Sequence, residues 1–465
     1  MTESSELLNR VINNNYCIGC GACASVAGSP FEMKMDEYGN IVAVDGSDPE
    51  KSNAKVMDIC PFSGKAANED MISDSLFSSA LAQDKWIGKY IDCYAGYVRE
   101  GLFREKGSSG GVGKWLGYTL LAEKKVDYLV QIHANEPGNP GDPLFDYKFI
   151  SNKDEVIKGS RSSYYPSTMV EVIRKIREKE GRYAITGVPC FIKTLRLLSR
   201  RDKVLAERIK YTIGVICGGM KSANHSKLIA WQLGVKPGDL VAIDFRRKYD
   251  DRPASNKIYQ VWSSADDKDR YRDAAQIFGT DWGSGYFKPN ACDFCDDVVG
   301  ETADISIGDA WLSKYVNDPK GTSVVVIRNN DLAALFKQHI ENGNIKMDRI
   351  SAEDVRRSQE GGFRHRREGL SHRLAGLQKT GKWHPPKRVK PGDFGIDRKR
   401  RKIYELRGKI SKKSHIAAQK ALENDKLEIF FREMLPLKKK YRSAYYGKRY
   451  IRALRRIKKI ILSAK

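Results

Sequence analysis

The chain has 465 residues, 41% of them hydrophobic, which is enough for two or three domains with buried cores. It contains no run of about 18 apolar residues, and the polar segment Met1–Arg10 lacks the pattern of a secretory signal, so we expect a cytoplasmic protein. The formal charge of +24 is concentrated from Arg398 onward, where 24 Lys and Arg residues accompany only five Asp and Glu.

Four regions follow one another along the chain. Residues 1–70 are predicted to form a small ferredoxin-like α+β domain, and residues 88–345 an α/β body with a mainly parallel sheet. Residues 351–397 are polar and Gly-containing, which is typical of a connecting segment. Residues 398–465 are predicted to form a basic helical tail.

The first region contains a cysteine motif. Cys17, Cys20 and Cys23 share a tight loop with small residues between them, and the distant Cys60 is followed by Pro61. Three ligands from one loop and a fourth from a Cys-Pro pair hold the 4Fe-4S clusters of bacterial ferredoxins. A zinc site is the alternative, less favoured because structural zinc motifs usually pair two separated hooks. The sequence therefore predicts one 4Fe-4S cluster here.

The body alternates short apolar runs, rich in β-branched and aromatic residues, with amphipathic helical runs. The predicted strands are Val126–Ile132, Tyr183–Val188, Tyr211–Ile216, Leu240–Phe245 and Ser323–Arg328. The predicted helices between them include Met169–Lys179 and Ile192–Arg200.

A glycine-rich stretch, Lys106–Gly111, precedes a helical run that continues through Leu121. Small residues at a helix start expose N–H groups, which suits a phosphate group. The stretch is neither a Walker loop nor a GxGxxG fingerprint, and a plain helix cap explains it equally well.

A second set of cysteines lies in the body. Cys292 and Cys295 form a Cys-x-x-Cys hook, while Cys190 and Cys217 each follow a predicted strand. Parallel strands end at the same edge of a sheet, so Cys190 and Cys217 could join the hook around a second cluster. Two buried structural thiols plus a zinc hook or a redox pair remain the alternative.

Several segments of residues 10–330 resemble the β-subunit family of coenzyme F-420 hydrogenases and dehydrogenases. They are Tyr94–Tyr97, Ser108–Gly111, Thr186–Cys190, Gly214–Cys217, Cys292–Cys295 and Ala303–Asp309. The continuation Ala310–Leu312 with Gly321 and Thr322 looks most like bacterial members found with polysaccharide-synthesis genes.

The resemblance implies a flavoprotein that binds FAD beside a 4Fe-4S cluster. By analogy, the ligands of this inner cluster are Cys190, Cys217, Cys292 and Cys295. The implied flavin contacts are Ser108, Ser109, Gly110, Gly111, Ser163, Tyr164 and Asp309. The family's deazaflavin substrate is not identified by any segment.

The expected function is that of an iron–sulfur flavoprotein oxidoreductase. It would pass electrons from an external donor, such as a ferredoxin, through 4Fe-4S clusters to FAD and an unidentified small organic substrate. The alternative is a non-catalytic ferredoxin-like electron carrier. A nucleic-acid binder is not expected, because the basicity is confined to the tail and recognised nucleic-acid motifs are absent.

The tail has an amphipathic pattern. Ile451, Leu454, Ile457 and Ile461 would share one face of a helix, flanked by basic residues. Such a helix could lie on an anionic membrane surface, at the inner face of the membrane, hold an acidic protein or polymer, or bind nucleic acid without sequence choice. Packing of a solvated helix on the body is the alternative.

Overall fold

The computed structural model describes residues 1–77, 82–159, 161–249 and 251–447, which form fifteen strands and fourteen α-helices. The strands are β1 (Phe31–Met35), β2 (Ile41–Asp45), β3 (Ala82–Asp84), β4 (Gly88–Tyr90), β5 (Asp92–Val98), β6 (Tyr128–Ala134), β7 (Phe145–Ile150), β8 (Tyr183–Gly187), β9 (Ile209–Val215), β10 (Leu240–Arg247), β11 (Ile258–Ser263), β12 (Arg270–Asp273), β13 (Ile305–Asp309), β14 (Ser323–Ile327) and β15 (Ile345–Arg349). The helices are α1 (Glu3–Leu7), α2 (Glu69–Leu76), α3 (Phe103–Lys106), α4 (Val112–Ala122), α5 (Val170–Glu178), α6 (Pro189–Ser199), α7 (Lys203–Arg208), α8 (Ala223–Gln232), α9 (Asn330–Glu341), α10 (Ala352–Ser358), α11 (Glu360–Arg366), α12 (Glu368–Lys379), α13 (Arg398–Glu423) and α14 (Leu427–Tyr446).

The central sheet has eight strands in the order β15-β5-β14-β13-β9-β8-β6-β7. Only β13, β9, β8 and β6 pair in parallel, and the other four pairings are antiparallel. The prediction of a mainly parallel sheet is therefore wrong, because the sheet is mixed. β7 follows β6, and β14 follows β13, without an intervening α-helix, and such short connections reverse the chain direction between neighbouring strands.

Four of the predicted strands lie in this sheet, as β6, β8, β9 and β14. Residues 240–245 do form a strand, β10, but it belongs to a separate three-stranded antiparallel sheet with β11 and β12. The two predicted helices correspond to α5 and α6. All five residues of β14 are buried, which fits its continuous apolar sequence.

The N-terminal region consists of short helices, a loop with three cysteines, and the two-stranded sheet β1–β2. Its apolar side chains Leu7 and Tyr16 belong to the same buried cluster as Phe191 and Leu195 of α6. This region therefore shares a core with the α/β body. The ferredoxin-like domain proposed for residues 1–70 stays a prediction.

The C-terminal part is helical and packs on the body. Residues 351–397, predicted as a connecting segment, contain α10, α11 and α12. α13 and α14 pack against each other and cover Tyr286 and Phe287 of the body, so the predicted helical character holds as far as Tyr446. The predicted amphipathic face from Ile451 to Ile461 lies outside the described residues. None of the helices in the described ranges is long and apolar enough to span a bilayer.

Candidate functional site

The four N-terminal cysteines face one small cavity. Apolar side chains, including Leu7, Met33 and Phe62, form most of its wall. The cysteines that line it are Cys17, Cys20, Cys23 and Cys60. The structure therefore brings together all four residues that the sequence motif predicts, and we call them the outer cysteine set.

Glycines shape the loop Cys17–Cys23. Gly19 and Gly21 have φ angles of 77° and 85°, in the left-handed region that favours glycine. A Cβ atom on Gly19 would stand 2.4 Å from the Ile41 carbonyl oxygen, and one on Gly21 would stand 2.5 Å from Thr168 Oγ1. The loop can follow this path only with glycine at both positions.

Burial makes these thiols hard to ionise. It raises the pKa of Cys17 to about 11, even though the Ala43 N–H group donates a hydrogen bond to Cys17 Sγ at 3.4 Å. Burial also raises the pKa of Cys23 well above its usual value, and repulsion from the other three thiolates of the set adds to this effect. A shared cationic centre would offset this repulsion and keep the thiolates ionised.

The second group, the inner cysteine set, also converges. Cys190 lies in the first turn of α6, Cys217 follows β9, Cys292 lies in the 3-10 helix Asn290–Phe294 of the long segment before β13, and Cys295 follows that helix directly. Burial raises the pKa of Cys190, and repulsion from the other three thiolates raises it further, which places all four close together. Backbone N–H groups point at the sulfurs, with Gly219 donating to Cys217 at 3.3 Å and Met220 to Cys292 at 3.4 Å.

Arg366, which the sequence analysis did not identify, lies against the inner set. Its Nη1 donates to Cys295 Sγ at 2.6 Å, and its Nη2 donates to Cys217 Sγ at 3.6 Å. Nη1 also donates to the Asp297 carbonyl at 2.8 Å, which fixes the guanidinium beside the sulfurs. No spacing signal connects Arg366, at the end of α11, with cysteines about 70 to 150 residues away.

Helix α6 joins the two sets. Cys190, near its start, is close enough to Cys20 of the outer set for the two thiolates to repel each other. One turn further, the Thr194 hydroxyl donates to the Cys190 carbonyl at 2.9 Å, and the Thr194 side chain is near enough to Cys20 to lower the pKa of that thiol. The outer and inner sets are therefore neighbours across one helix.

Both sets have the donor chemistry of an iron–sulfur site. In residues 1–77, 82–159, 161–249 and 251–447, no three Asp, Glu, His or Cys side chains are arranged around a single metal-ion position. A 4Fe-4S cluster needs a wider arrangement, because each of its four thiolates binds a different iron. Four thiols with N–H donors aimed at sulfur fit that requirement in each set.

A cavity of about 310 Å³ lies at the carboxyl ends of the parallel strands β6, β8, β9 and β13. This edge is where open α/β sheets bind ligands, and the volume falls within the usual range for ligand sites. The predicted flavin contacts that line it are Ser108, Ser109, Gly111, Ser163, Tyr164 and Asp309. Gly110 is not among the lining residues, and its N–H donates to Ser323 Oγ at 3.0 Å.

Helix α4 points its N-terminus at this cavity. Gly111 caps the helix with a φ of 84°. The Ser109 hydroxyl donates to the Thr322 carbonyl at 2.6 Å, and the Ser108 hydroxyl donates to the Arg161 carbonyl. Because both hydroxyl protons are used, the helix N-terminus and not these two hydroxyl groups is the part of this turn that can attract an anionic group.

Cationic side chains surround the same cavity. Burial lowers the pKa of Lys114 to about 7 and that of Lys221 to about 7. Lys114 Nζ is held by the Ile157 carbonyl at 2.7 Å, while Arg246 donates to both carboxylate oxygens of Asp309 at 3.0 and 3.1 Å. The sequence analysis did not identify these cations, because they come from separate elements.

The inner set forms part of the cavity wall. Cys217 lines the cavity together with the backbone that follows it, Gly218 and Gly219. Tyr164 and Trp282 line the same end, with ring centroids 4.7 Å apart. A flat ring system bound at this end would therefore lie beside the inner cysteines.

Comparisons with known proteins match the body of the chain. Residues 93–174 match the N-terminal domain of the coenzyme F420 hydrogenase/dehydrogenase beta subunit, and residues 180–353 match its C-terminal domain. Together these ranges include more than half of the chain and all four inner cysteines. The outer set, nearly all of α10, and the helices α11 to α14 lie outside them.

Individual relatives are distant. A subunit of the F420H2 dehydrogenase from Methanosarcina mazei is 23% identical over 67% of this chain and 82% of its own length. The coenzyme F420-dependent sulfite reductase of Methanocaldococcus jannaschii is 23% identical over 69% of this chain and 45% of its own length. A chain of the F420-reducing [NiFe] hydrogenase complex of Methanosarcina barkeri matches with a TM-score of 0.49 and 15% identity, over 66% of this chain and 99% of that one.

The two matched ranges lie in the family's N- to C-terminal order; the first ends within α5 and the second begins just before β8. They include β5 to β15, and therefore every strand of the eight-stranded sheet. The chain accordingly belongs to the coenzyme F420 hydrogenase/dehydrogenase beta-subunit family.

Proposed function

We propose that the chain is an oxidoreductase that holds two 4Fe-4S clusters and one FAD. It passes electrons between an external donor, these centres and a small organic substrate. The observation that carries the proposal is the arrangement of eight cysteines in two adjacent groups, the second of which forms part of the wall of the 310 Å³ cavity. The similarity to F420-dependent dehydrogenase and reductase proteins supports the redox part of the proposal.

The outer set would hold the cluster that meets the donor. Three of the four outer cysteines, all but Cys20, are partly exposed, whereas in the inner set only Cys190 is partly exposed and the other three are buried. A partner such as a ferredoxin can therefore approach the outer set more closely. The name of the M. mazei relative, a dehydrogenase subunit, favours a similar role as part of a larger complex for this chain.

The inner set and the adjoining cavity would hold the second cluster and FAD. Iron–sulfur clusters exchange single electrons, and a flavin couples such electrons to two-electron chemistry on an organic molecule. On this proposal the N-terminus of α4 and Lys114 attract the flavin's phosphates, and Tyr164 and Trp282 cover its ring. Arg366 and the N–H groups after Cys217 stabilise negative charge on the inner sulfurs.

The proposal is tested by cofactor analysis after anaerobic purification. About eight irons, eight sulfides and one FAD per chain are expected for two clusters and one flavin. About four irons without flavin would indicate the non-catalytic ferredoxin-like carrier instead. Zinc in place of iron would overturn the proposal.

A pair of cysteine variants sharpens this test. Cys292→Ala is expected to lose about four irons, because it removes one of four ligands of the inner cluster, while the outer cluster remains. Cys93→Ala is the matched control, since Cys93 is also buried, in β5, but belongs to neither set. Full iron content in Cys292→Ala, or equal iron loss in both variants, would contradict the assignment of the inner ligands.

A further inference from the structure

A second, larger cleft of about 1010 Å³ lies against the inner cysteine set. Its walls come from the loops around Lys257 and Trp282 of the body, from α11, and from α14. It joins the flavin-side cavity at Tyr164, Cys217 and Trp282, which line both. We call this space the basic cleft, and its two helical walls belong to the part of the chain outside the family-matched ranges.

The lining of the basic cleft carries excess positive charge, with eight Lys and Arg residues and five Asp and Glu. Most of the acids are already engaged by cations. Those with an ion-pair partner are Asp273, Asp293, Asp309 and Glu360. The carboxylate of Asp281 accepts hydrogen bonds from the Gly283 N–H and the Ser284 hydroxyl. The acids therefore leave part of the positive charge unbalanced.

Four of the cations have neither an ion-pair partner nor a side-chain hydrogen bond within the described part of the chain. They are Lys257, Arg357, Lys438 and Arg442. Burial lowers the pKa of Lys438, and the charge of Arg442 lowers it further, so these two cations destabilise each other. A bound anion would relieve that repulsion.

Lys257 stands where the two cavities meet. Its Nζ lies 5.5 Å from the ring centroid of Trp282, 5.6 Å from that of Tyr164 and 5.9 Å from that of Trp311. The ammonium group has no hydrogen-bond acceptor among the described residues, and its neighbours are these rings and the Asp309 carboxylate, which is already paired with Arg246. A cation held among aromatic faces can attract the charged end of a ligand while the rings cover its flat part.

We infer that the basic cleft is the substrate site and binds an organic anion, in which a ring lies against Trp282 and Trp311 and a carboxylate or phosphate group meets Lys257. The inference rests on the proposed function in one respect, because the flavin in the adjoining cavity is the redox partner of this substrate. The helical walls explain how a chain of this family can present its own substrate site beside a shared redox centre.

Calorimetric titration of the anaerobically purified protein tests the inference with four small probes. Phenyl phosphate and benzoate combine a ring with a charge, benzyl alcohol offers the ring alone, and inorganic phosphate offers the charge alone. At least one of the two ring-bearing anions (the ring anions), phenyl phosphate or benzoate, is expected to bind more tightly than both benzyl alcohol and inorganic phosphate. Whether phenyl phosphate or benzoate binds better distinguishes a phosphate-bearing from a carboxylate-bearing substrate.

Lys257→Met is expected to weaken binding of the preferred ring anion about tenfold, the usual size of one lost charge-assisted contact. Lys346→Met is the matched control, because Lys346 also lies over an aromatic ring, that of Tyr97, but outside the cleft. The inference is overturned if neither phenyl phosphate nor benzoate binds, or if benzyl alcohol or inorganic phosphate binds as tightly as they do. It is also overturned if Lys257→Met and Lys346→Met bind the preferred anion with equal affinity.

The same preparation separates this inference from the proposed function. Iron and flavin are measured on the protein used for calorimetry. Full cofactor content without anion binding would contradict the substrate site alone. Anion binding to a protein without flavin would contradict the proposed function alone.

Discussion

Arg366 shows how one side chain can set the properties of the candidate inner cluster. If the inner set holds a cluster, the positive charge of Arg366 next to two sulfurs would stabilise its more negative, reduced state and so raise its potential. Arg366→Gln keeps a hydrogen-bond donor but removes the charge. If the substitution removes roughly 1.4 kcal/mol of stabilisation of the reduced state relative to the oxidised state, the midpoint potential falls by about 59 mV.

A redox titration followed by electron paramagnetic resonance measures this potential. Arg364→Gln is the matched control, because Arg364 lies two residues away and pairs with Glu360 instead of a thiol. Iron content has to match the wild type in both variants. An unchanged potential in Arg366→Gln would show that the guanidinium does not act on the cluster.

The residues of the candidate site differ in whether a local sequence pattern identifies them. The convergence of Cys17, Cys20, Cys23 and Cys60 could be predicted, because Cys-x-x-Cys spacing and a Cys-Pro pair are local patterns. Cys190 and Cys217 were placed beside the Cys292–Cys295 hook only from their positions after strands and from the family resemblance, and all eight stay predicted ligands. Arg366 and Lys257 leave no such pattern, because they reach their sites only through the tertiary fold. Gly110 was correctly placed at the helix start, yet its N–H turns toward Ser323.

At the level of elements, the start of α4 depends on Gly111. A Cβ at this position would stand 2.5 Å from the Phe103 carbonyl carbon and 2.6 Å from the Arg104 nitrogen, and φ is positive. Gly111→Ala is therefore expected to lower the free energy of unfolding by about 2 kcal/mol or more. It is also expected to reduce the FAD content, because the helix N-terminus moves.

Urea titration and flavin analysis check this prediction. Gly408→Ala is the matched control, because Gly408 lies inside α13 with open space around its Cβ position. The free energy of unfolding of Gly408→Ala is expected to rise by about 0.5–1 kcal/mol, since alanine favours the helix more than glycine does. A Gly111→Ala protein as stable as wild type, with full FAD, would disprove the role given to this turn.

The sequence predicts whether a segment forms a helix or a strand more readily than it predicts which strands pair and in which direction. Periodicity located α5 and α6, and β-branched runs located β6, β8, β9 and β14. The same patterns do not encode strand direction, so the antiparallel pairing of β14 with β5 and β13 was not expected. The helices α10 to α12 were missed because their polar, Gly-containing sequence resembles a loop.

On the scale of the whole molecule, Arg388 ties three parts of the chain together. It forms a two-pronged ion pair with Glu301 of the body, with both N–O distances at 2.7 Å. It also contacts Asp70 of the N-terminal region at 2.8 Å, and its backbone N–H donates to Asp296 at 3.1 Å. This buried network fixes the outer cysteine region, the inner cysteine loop and the C-terminal segment relative to one another.

Arg388→Met is expected to be strongly destabilising, because the buried carboxylate of Asp296 loses its ion-pair partner and that of Glu301 keeps only Arg367. Removing one partner of a buried ion pair lowers the free energy of unfolding by about 3–5 kcal/mol. Replacing the whole pair by apolar residues changes it far less. Arg174→Met is the control, since Arg174 pairs with Glu171 and Glu178 on an exposed face. Little loss of unfolding free energy is expected there. Anaerobic urea titration of both variants gives the comparison. Equal stability of the two would mean that the network does not join the three parts, and the two cysteine sets would then owe their closeness to α6 alone.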